Sequence, residues 1–89
     1  MKIATTVRIK GKVQGVGFRV STLGKARQLR ITGFVKNEAN GDVTAFFEGE
    51  KESMESMLLW CRQGPIRAKV TQVETSPELI RNYTEFTII

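Results

Sequence analysis

The strongest constraint in this sequence is a change of hydrophobic period across one glycine-punctuated segment. From Ile3 to Lys12 the residues alternate, with Val7 and Ile9 set against Thr6, Arg8, Lys10 and Lys12, which is the period of a half-buried strand. Beyond it, Val20, Leu23, Ala26 and Leu29 recur at mostly helical spacing among polar residues, despite Gly24. Between the two lies Gly11-Lys12-Val13-Gln14-Gly15-Val16-Gly17-Phe18-Arg19. The chain must therefore pass from strand to helix through a loop built largely from glycine and valine.

The rest of the chain supplies further elements in a regular order. Gly33 punctuates, Phe34 to Asn37 reads as a short strand, and Asn40-Gly41 is a favoured pair for a tight hairpin because both residues tolerate positive φ. The partner strand follows as Val43, Ala45 and Phe47 alternating with Thr44, Phe46 and Glu48. Met54, Met57, Leu58 and Cys61 then fall at i, i+3, i+4 and i+7. Glu50 and Glu52 sit near the start of this second helix and Arg62 near its end, as the helix dipole favours.

Gly64-Pro65 stops that helix. Ala68 and Val70 alternate in one phase and Val73 in the other, a slip that a β-bulge around Thr71 and Gln72 would absorb. Ser76 to Tyr83 reads as a polar connection, and Phe86 with Ile88 as a short fifth strand. The order β-α-β-β-α-β plus a terminal strand predicts an α+β protein. The expected architecture is a ferredoxin-like split βαβ sandwich, with two helices covering one face of a five-stranded antiparallel sheet. With 89 residues and no linker, the expected organisation is one domain over residues 1–89.

Composition narrows the chemistry. The chain carries 14 Lys+Arg against 9 Asp+Glu, a net charge of +5, and every formal charge from Met1 to Asn37 is positive. Such a half is either a solvated basic face or a field that steers an anionic ligand. The sequence has no histidine and one cysteine, Cys61, which excludes an intrachain disulfide and argues against metal catalysis. No apolar run is long enough for a signal peptide or a membrane span, so a cytoplasmic protein without membrane association is expected.

The strand-to-helix junction is where these features meet. Unpaired N–H groups at a helix N-terminus converge with a favourable dipole, and glycines let the preceding loop curl so that more amides face one oxyanion. Arg19, at the helix start, can add a two-pronged contact to the same phosphate. On spacing alone the segment reads equally well as a glycine-rich turn, and neither a dinucleotide-binding fingerprint nor a Walker motif is present. Asn37, on the same terms, reads first as a residue that caps the hairpin. Cys61-Arg62-Gln63-Gly64-Pro65-Ile66-Arg67 has the C-x5-R spacing of cysteine phosphatases. It falls at a helix C-terminus, however, where the dipole opposes a thiolate.

Gly11-x-Val13-Gln14-Gly15-Val16-x-Phe18-Arg19, then Gly33-Phe34-Val35-Lys36-Asn37 and the Asn40-Gly41 turn, resemble the two signature segments of the acylphosphatases. The resemblance continues through Ala26-Arg27-x-Leu29, Gly49, Trp60 with Gly64-Pro65, Ala68-x-Val70 and Phe86-x-Ile88. It implies hydrolysis of the mixed anhydride of an acyl phosphate, a small-molecule substrate, without metal or organic cofactor; a monomer with no nucleic-acid partner is the simplest expectation. It further implies that Arg19 and the amides of Gln14, Gly15, Val16, Gly17, Phe18 and Arg19 bind the phosphoryl group while Asn37 positions the attacking water.

Carboxylate is a good leaving group that needs little protonation, so positioning and charge stabilisation suffice without histidine. The sequence departs from the family pattern at Arg30, where a helix-ending glycine is usual, and more mildly at Asn40 and Phe34. Two other readings fit the sequence. One is an RNA-binding module of the same topology, for which Phe46 and Phe47 would be the stacking residues. The other is an acylphosphatase-like domain serving a larger hydrogenase-maturation carbamoyltransferase, although the starting methionine and closing strand favour a stand-alone enzyme.

Overall fold

In the computed structural model, which describes residues 1–89, the N-terminal alternation becomes β1 (Lys2–Lys12). Val7 and Ile9 are fully buried on one face while Arg8 between them stays exposed. There follow α1 (Phe18–Gln28), β2 (Thr32–Asn37), β3 (Val43–Glu50), α2 (Lys51–Gln63), β4 (Lys69–Glu78) and β5 (Phe86–Ile88). The strands form one sheet in the order β4-β1-β3-β2-β5. On one of its faces Val7, Ile9, Val35, Val43, Ala45 and Phe47 meet Ala26 of α1 and Met54, Met57 and Cys61 of α2 to form the core.

The sheet is mixed rather than antiparallel throughout, because β5 pairs parallel to β2, with Gly33 opposite Phe86 and Val35 opposite Ile88. Register explains the direction. Strand β4 ends opposite Ala4 near the start of β1, and β5 begins opposite Gly33 near the start of β2. Since β1 and β2 both run antiparallel to β3, a chain that crosses between those two points must ascend alongside β2. Strand β4 also extends through Ser76, Pro77 and Glu78, although the polarity of Ser76 to Tyr83 suggests a loop there. Pro77 is tolerated there because β4 is an edge strand. The slip in strand phase is a bulge: Lys10 pairs with Gln72 and Gly11 with Val70, leaving Thr71 as the extra residue.

Helix α1 buries Ala26 and packs Leu23 and Leu29 against the core as its spacing suggests, but Val20 falls outside that face. Val20 is 68% exposed, whereas Phe18, Thr22 and Ala26 are buried. The helix begins at Phe18, whose ring claims the core position and turns Val20 about 200° away. Thr22 is tolerated inside because its hydroxyl donates to the Phe18 carbonyl at 2.7 Å. The helix ends in a Schellman motif, in which Ile31 N–H donates to the Ala26 carbonyl at 2.8 Å and Arg30 N–H to the Arg27 carbonyl at 3.2 Å. That motif places Arg30 at φ 59°, a left-handed conformation that glycine adopts more cheaply.

The sheet face opposite the helices carries Phe34, Phe46 and Glu48, and residues 79–85 cross it between β4 and β5. The fully buried Glu48 carboxylate anchors that crossing by accepting the backbone N–H groups of Arg81, of Asn82 at 3.1 Å and of Tyr83 at 2.7 Å. Tyr83 packs against Phe46 with ring centroids 5.5 Å apart, and the Arg81 guanidinium lies 4.3 Å over the Phe46 ring. Burial alone would raise the Glu48 pKa, but the three backbone donors outweigh it and hold the carboxyl below its ordinary value of 4.5. A depressed pKa means that ionised Glu48 stabilises the fold above the ordinary carboxylate range, and that this contribution is lost as pH falls through the folded-state pKa.

Replacing Arg30 by glycine relieves the left-handed strain, so urea denaturation of Arg30→Gly is expected to show a gain of about 1 kcal/mol. Glu48→Gln keeps the shape of the side chain but turns an NH2 group toward backbone donors. Its expected cost is about 2 kcal/mol near neutral pH. The stability gap from wild type should close as pH is lowered through the carboxylate range; a gap independent of pH would show that the Glu48 charge contributes nothing.

Candidate active site

The loop between β1 and α1 is held from within. Val13, Val16 and Phe18 are buried at 1%, 6% and 2% exposure, and the Phe18 ring packs on Trp60 of α2 at 5.5 Å. With its apolar side chains committed to the core, the loop leaves Gly15 and Gly17 at the surface. These have φ of 74° and 78°, and a Cβ added at either would meet nothing within 4 Å. Glycine is required there for the dihedral, which sets the amide directions, and not for want of space.

Gly17 is also the N-cap of α1, so the helix start has no side-chain cap and no acid in its first turn. Intrahelical bonding begins with Ser21 N–H to the Gly17 carbonyl at 3.0 Å. The amides of Phe18, Arg19 and Val20 precede it and have no intrahelical acceptor. A helix start lacking both a Ser/Thr/Asp/Asn cap and an acidic first turn leaves its donors and its positive dipole end free for an external anion.

Asn37 reaches the same place from another element. It is the last residue of β2, half-buried and paired with Val43 across the hairpin. A cavity of about 120 Å³ is lined by Gln14, Gly15, Gly17, Phe18, Arg19 and Asn37, together with Val13 and Val20. Of the residues expected at the site, Val16 alone does not line this cavity; its side chain is in the core. Arg19 is the single ionisable residue in the lining, and its Nη1 lies 3.5 Å from the Ile89 carbonyl oxygen.

Two lining residues were not expected. Val13 anchors the loop, a role legible in the spacing of Val13, Val16 and Phe18 once those apolar residues are taken as core plugs. Val20 lies at the cavity because α1 is phased from Phe18. The Gln14 side chain also has unexpected partners: its Nε2 donates to the Glu38 carbonyl at 2.7 Å and to the Asp42 carbonyl at 2.9 Å.

The competing sites fare differently. Cys61 is fully buried on the core side of α2, and desolvation pushes its thiol up to about 12, so the C-x5-R spacing marks no nucleophile. The stacking platform of an RNA-binding module would have to lie on the face bearing Phe34 and Phe46, but residues 79–85 already cover that face and Phe46 is only 1% exposed. Phe47 points the other way, into the core beside Phe86.

Comparison with known proteins gives the same reading. The acylphosphatase family model matches residues 5–88. An acylphosphatase of Geobacter sulfurreducens is 51% identical over 73 residues, covering 82% of this chain and 80% of the relative. Among solved structures, an acylphosphatase from Coxiella burnetii superposes with a TM-score of 0.96 at 36% identity, covering 99% of this chain and 93% of the other. Full-length HypF contains the same fold, at a TM-score of 0.89 and 23% identity over 12% of its length. With a family match along almost its whole length and a site built from the two signature segments, this chain belongs to the acylphosphatase family and is a hydrolase of acyl phosphates.

Proposed function

We propose that the cavity performs acyl phosphate hydrolysis with a division of labour between its two walls. The amides of Gln14 to Arg19 and the Arg19 guanidinium hold the phosphoryl oxygens, and the Asn37 carboxamide orients the attacking water in line with the scissile P–O bond. The observation that carries this reading is the meeting of Asn37 with an uncapped helix start and Arg19 in one cavity that contains no other charged side chain.

The chemistry follows from that geometry. Water attacks phosphorus, the bond from phosphorus to the acyl oxygen breaks, and the electron pair leaves with the carboxylate. The transition state spreads negative charge over the equatorial phosphoryl oxygens, where fixed N–H donors and Arg19 stabilise it without reorganisation. The water's proton passes to a phosphoryl oxygen of the substrate, so no side chain in the lining has to act as a base. The carboxylate product leaves unprotonated, so no general acid is needed either. We read the protein as a cytoplasmic monomer acting on small acyl phosphates. The cavity grips the phosphoryl end and meets the acyl end with little beyond the exposed Val20.

Benzoyl phosphate hydrolysis in the presence of a chelator tests the assignment. Arg19→Ala is expected to lower kcat/KM by about 10³-fold or more and to weaken competitive inhibition by inorganic phosphate. Asn37→Ala is expected to lower kcat by about 10²-fold or more while leaving phosphate inhibition nearly unchanged. Folded variants of both kinds that retain wild-type rates would refute the mechanism.

A further inference from the structure

The two walls of the cavity belong to segments far apart in sequence, and one side chain ties them together. Gln14 lies in the anion loop; Glu38 and Asp42 form the neck of the β2–β3 hairpin, immediately beyond Asn37. The two hydrogens of the Gln14 carboxamide are spent on the two carbonyls of that neck, Glu38 at 2.7 Å and Asp42 at 2.9 Å. The neck is itself closed by Glu38 N–H to the Asp42 carbonyl at 2.8 Å and Gly41 N–H to the Glu38 carbonyl at 3.2 Å. Asn40 Oδ1 accepts the Asp42 N–H at 3.0 Å, and the Asp42 carboxylate takes Lys10 Nζ at 3.2 Å from β1. Gln14 therefore docks onto a rigid turn and not onto a loose loop.

We propose that Gln14 is a positioning residue for hydrolysis: its side chain fixes the distance and angle between the phosphate-holding amides and the Asn37 carboxamide. This rests on the reading of Arg19 and Asn37 given above. The physical case is that in-line attack tolerates little error. Displacing a water-orienting group by about 1 Å costs on the order of 10²-fold in rate, and the Gln14 bridge is the side-chain tie that sets the anion loop against the neck beside Asn37. The backbone of Gln14 is part of the anion cradle, but its carboxamide donates both hydrogens elsewhere, so removing the side chain leaves the grip on phosphate in place. A residue acting through Asn37 must also lose its influence when Asn37 is gone.

A double-mutant cycle in benzoyl phosphate hydrolysis tests this, using wild type, Gln14→Met, Asn37→Ala and the double variant, with inorganic phosphate inhibition measured for each. Gln14→Met is expected to lower kcat by about 10- to 100-fold with the phosphate inhibition constant changed less than about 2-fold. In the Asn37→Ala background it should lower kcat by less than about 2-fold. Gln14→Glu, which turns a carboxylate toward the two carbonyls, should be at least as impaired and serves as the test if Gln14→Met does not fold. Equal losses in both backgrounds, or a phosphate inhibition constant that worsens in step with kcat, would overturn the proposal, as would an unchanged kcat in Gln14→Met. If instead Asn37→Ala itself retains the wild-type rate, it is the catalytic assignment of Asn37 that fails.

Discussion

The β1–α1 loop can turn its amides outward only because its apolar side chains turn inward. Val13, Val16 and Phe18 are fixed in the core, and Phe18 is held further by Trp60 of α2. Between these anchors, Gly15 and Gly17 take left-handed dihedrals that glycine adopts without strain. The β1–α1 loop is thus an extension of the core, and its order derives from hydrophobic packing. This preorganisation matters for phosphoryl transfer, where the donors must be in place before charge develops.

The rest of the fold supports that loop from two sides. On the helical face, α2 supplies Trp60 and the Met54, Met57 and Cys61 stripe against which the sheet closes. On the opposite face, the buried Glu48 carboxylate gathers three backbone N–H groups and fastens residues 81–83 across Phe34 and Phe46. That crossing directs the chain to β5, which pairs with β2, the strand that ends in Asn37. A buried carboxylate on β3 therefore helps fix the strand that carries Asn37, and it does so through backbone donors that no sequence pattern advertises.

Much of this was legible in the sequence, for identifiable reasons. The alternation of Val7 with Ile9, the Asn40-Gly41 turn and the Met54, Met57 and Cys61 spacing each report a local period that the fold uses directly. The bulge at Thr71 could be read because a one-residue slip reverses which side chains face the core. The strain at Arg30 was visible because a Schellman ending demands a positive φ whatever residue occupies it.

Long-range arrangements were not legible in this way. The parallel pairing of β5 depends on where a connection crosses the sheet, and the carbonyl partners of Gln14 lie 24 and 28 residues away. Val20 alone of its aliphatic stripe faces outward, because steps of three residues drift by about 60° each around a helix whose buried face is set by Phe18. Arg19 and Asn37 were named through resemblance to the acylphosphatases; their meeting in one cavity is a fact of the fold.

The central claim is that backbone amides at the uncapped start of α1 form the phosphate site. It is tested most directly by titrating the ¹⁵N-labelled protein with inorganic phosphate and following the backbone amide resonances. Saturable shifts concentrated on Gln14 to Val20, weakened in Arg19→Ala, are expected. Shifts centred instead on the basic residues of the opposite face, Arg8, Lys10 and Lys36, or no saturable response in the loop, would contradict it.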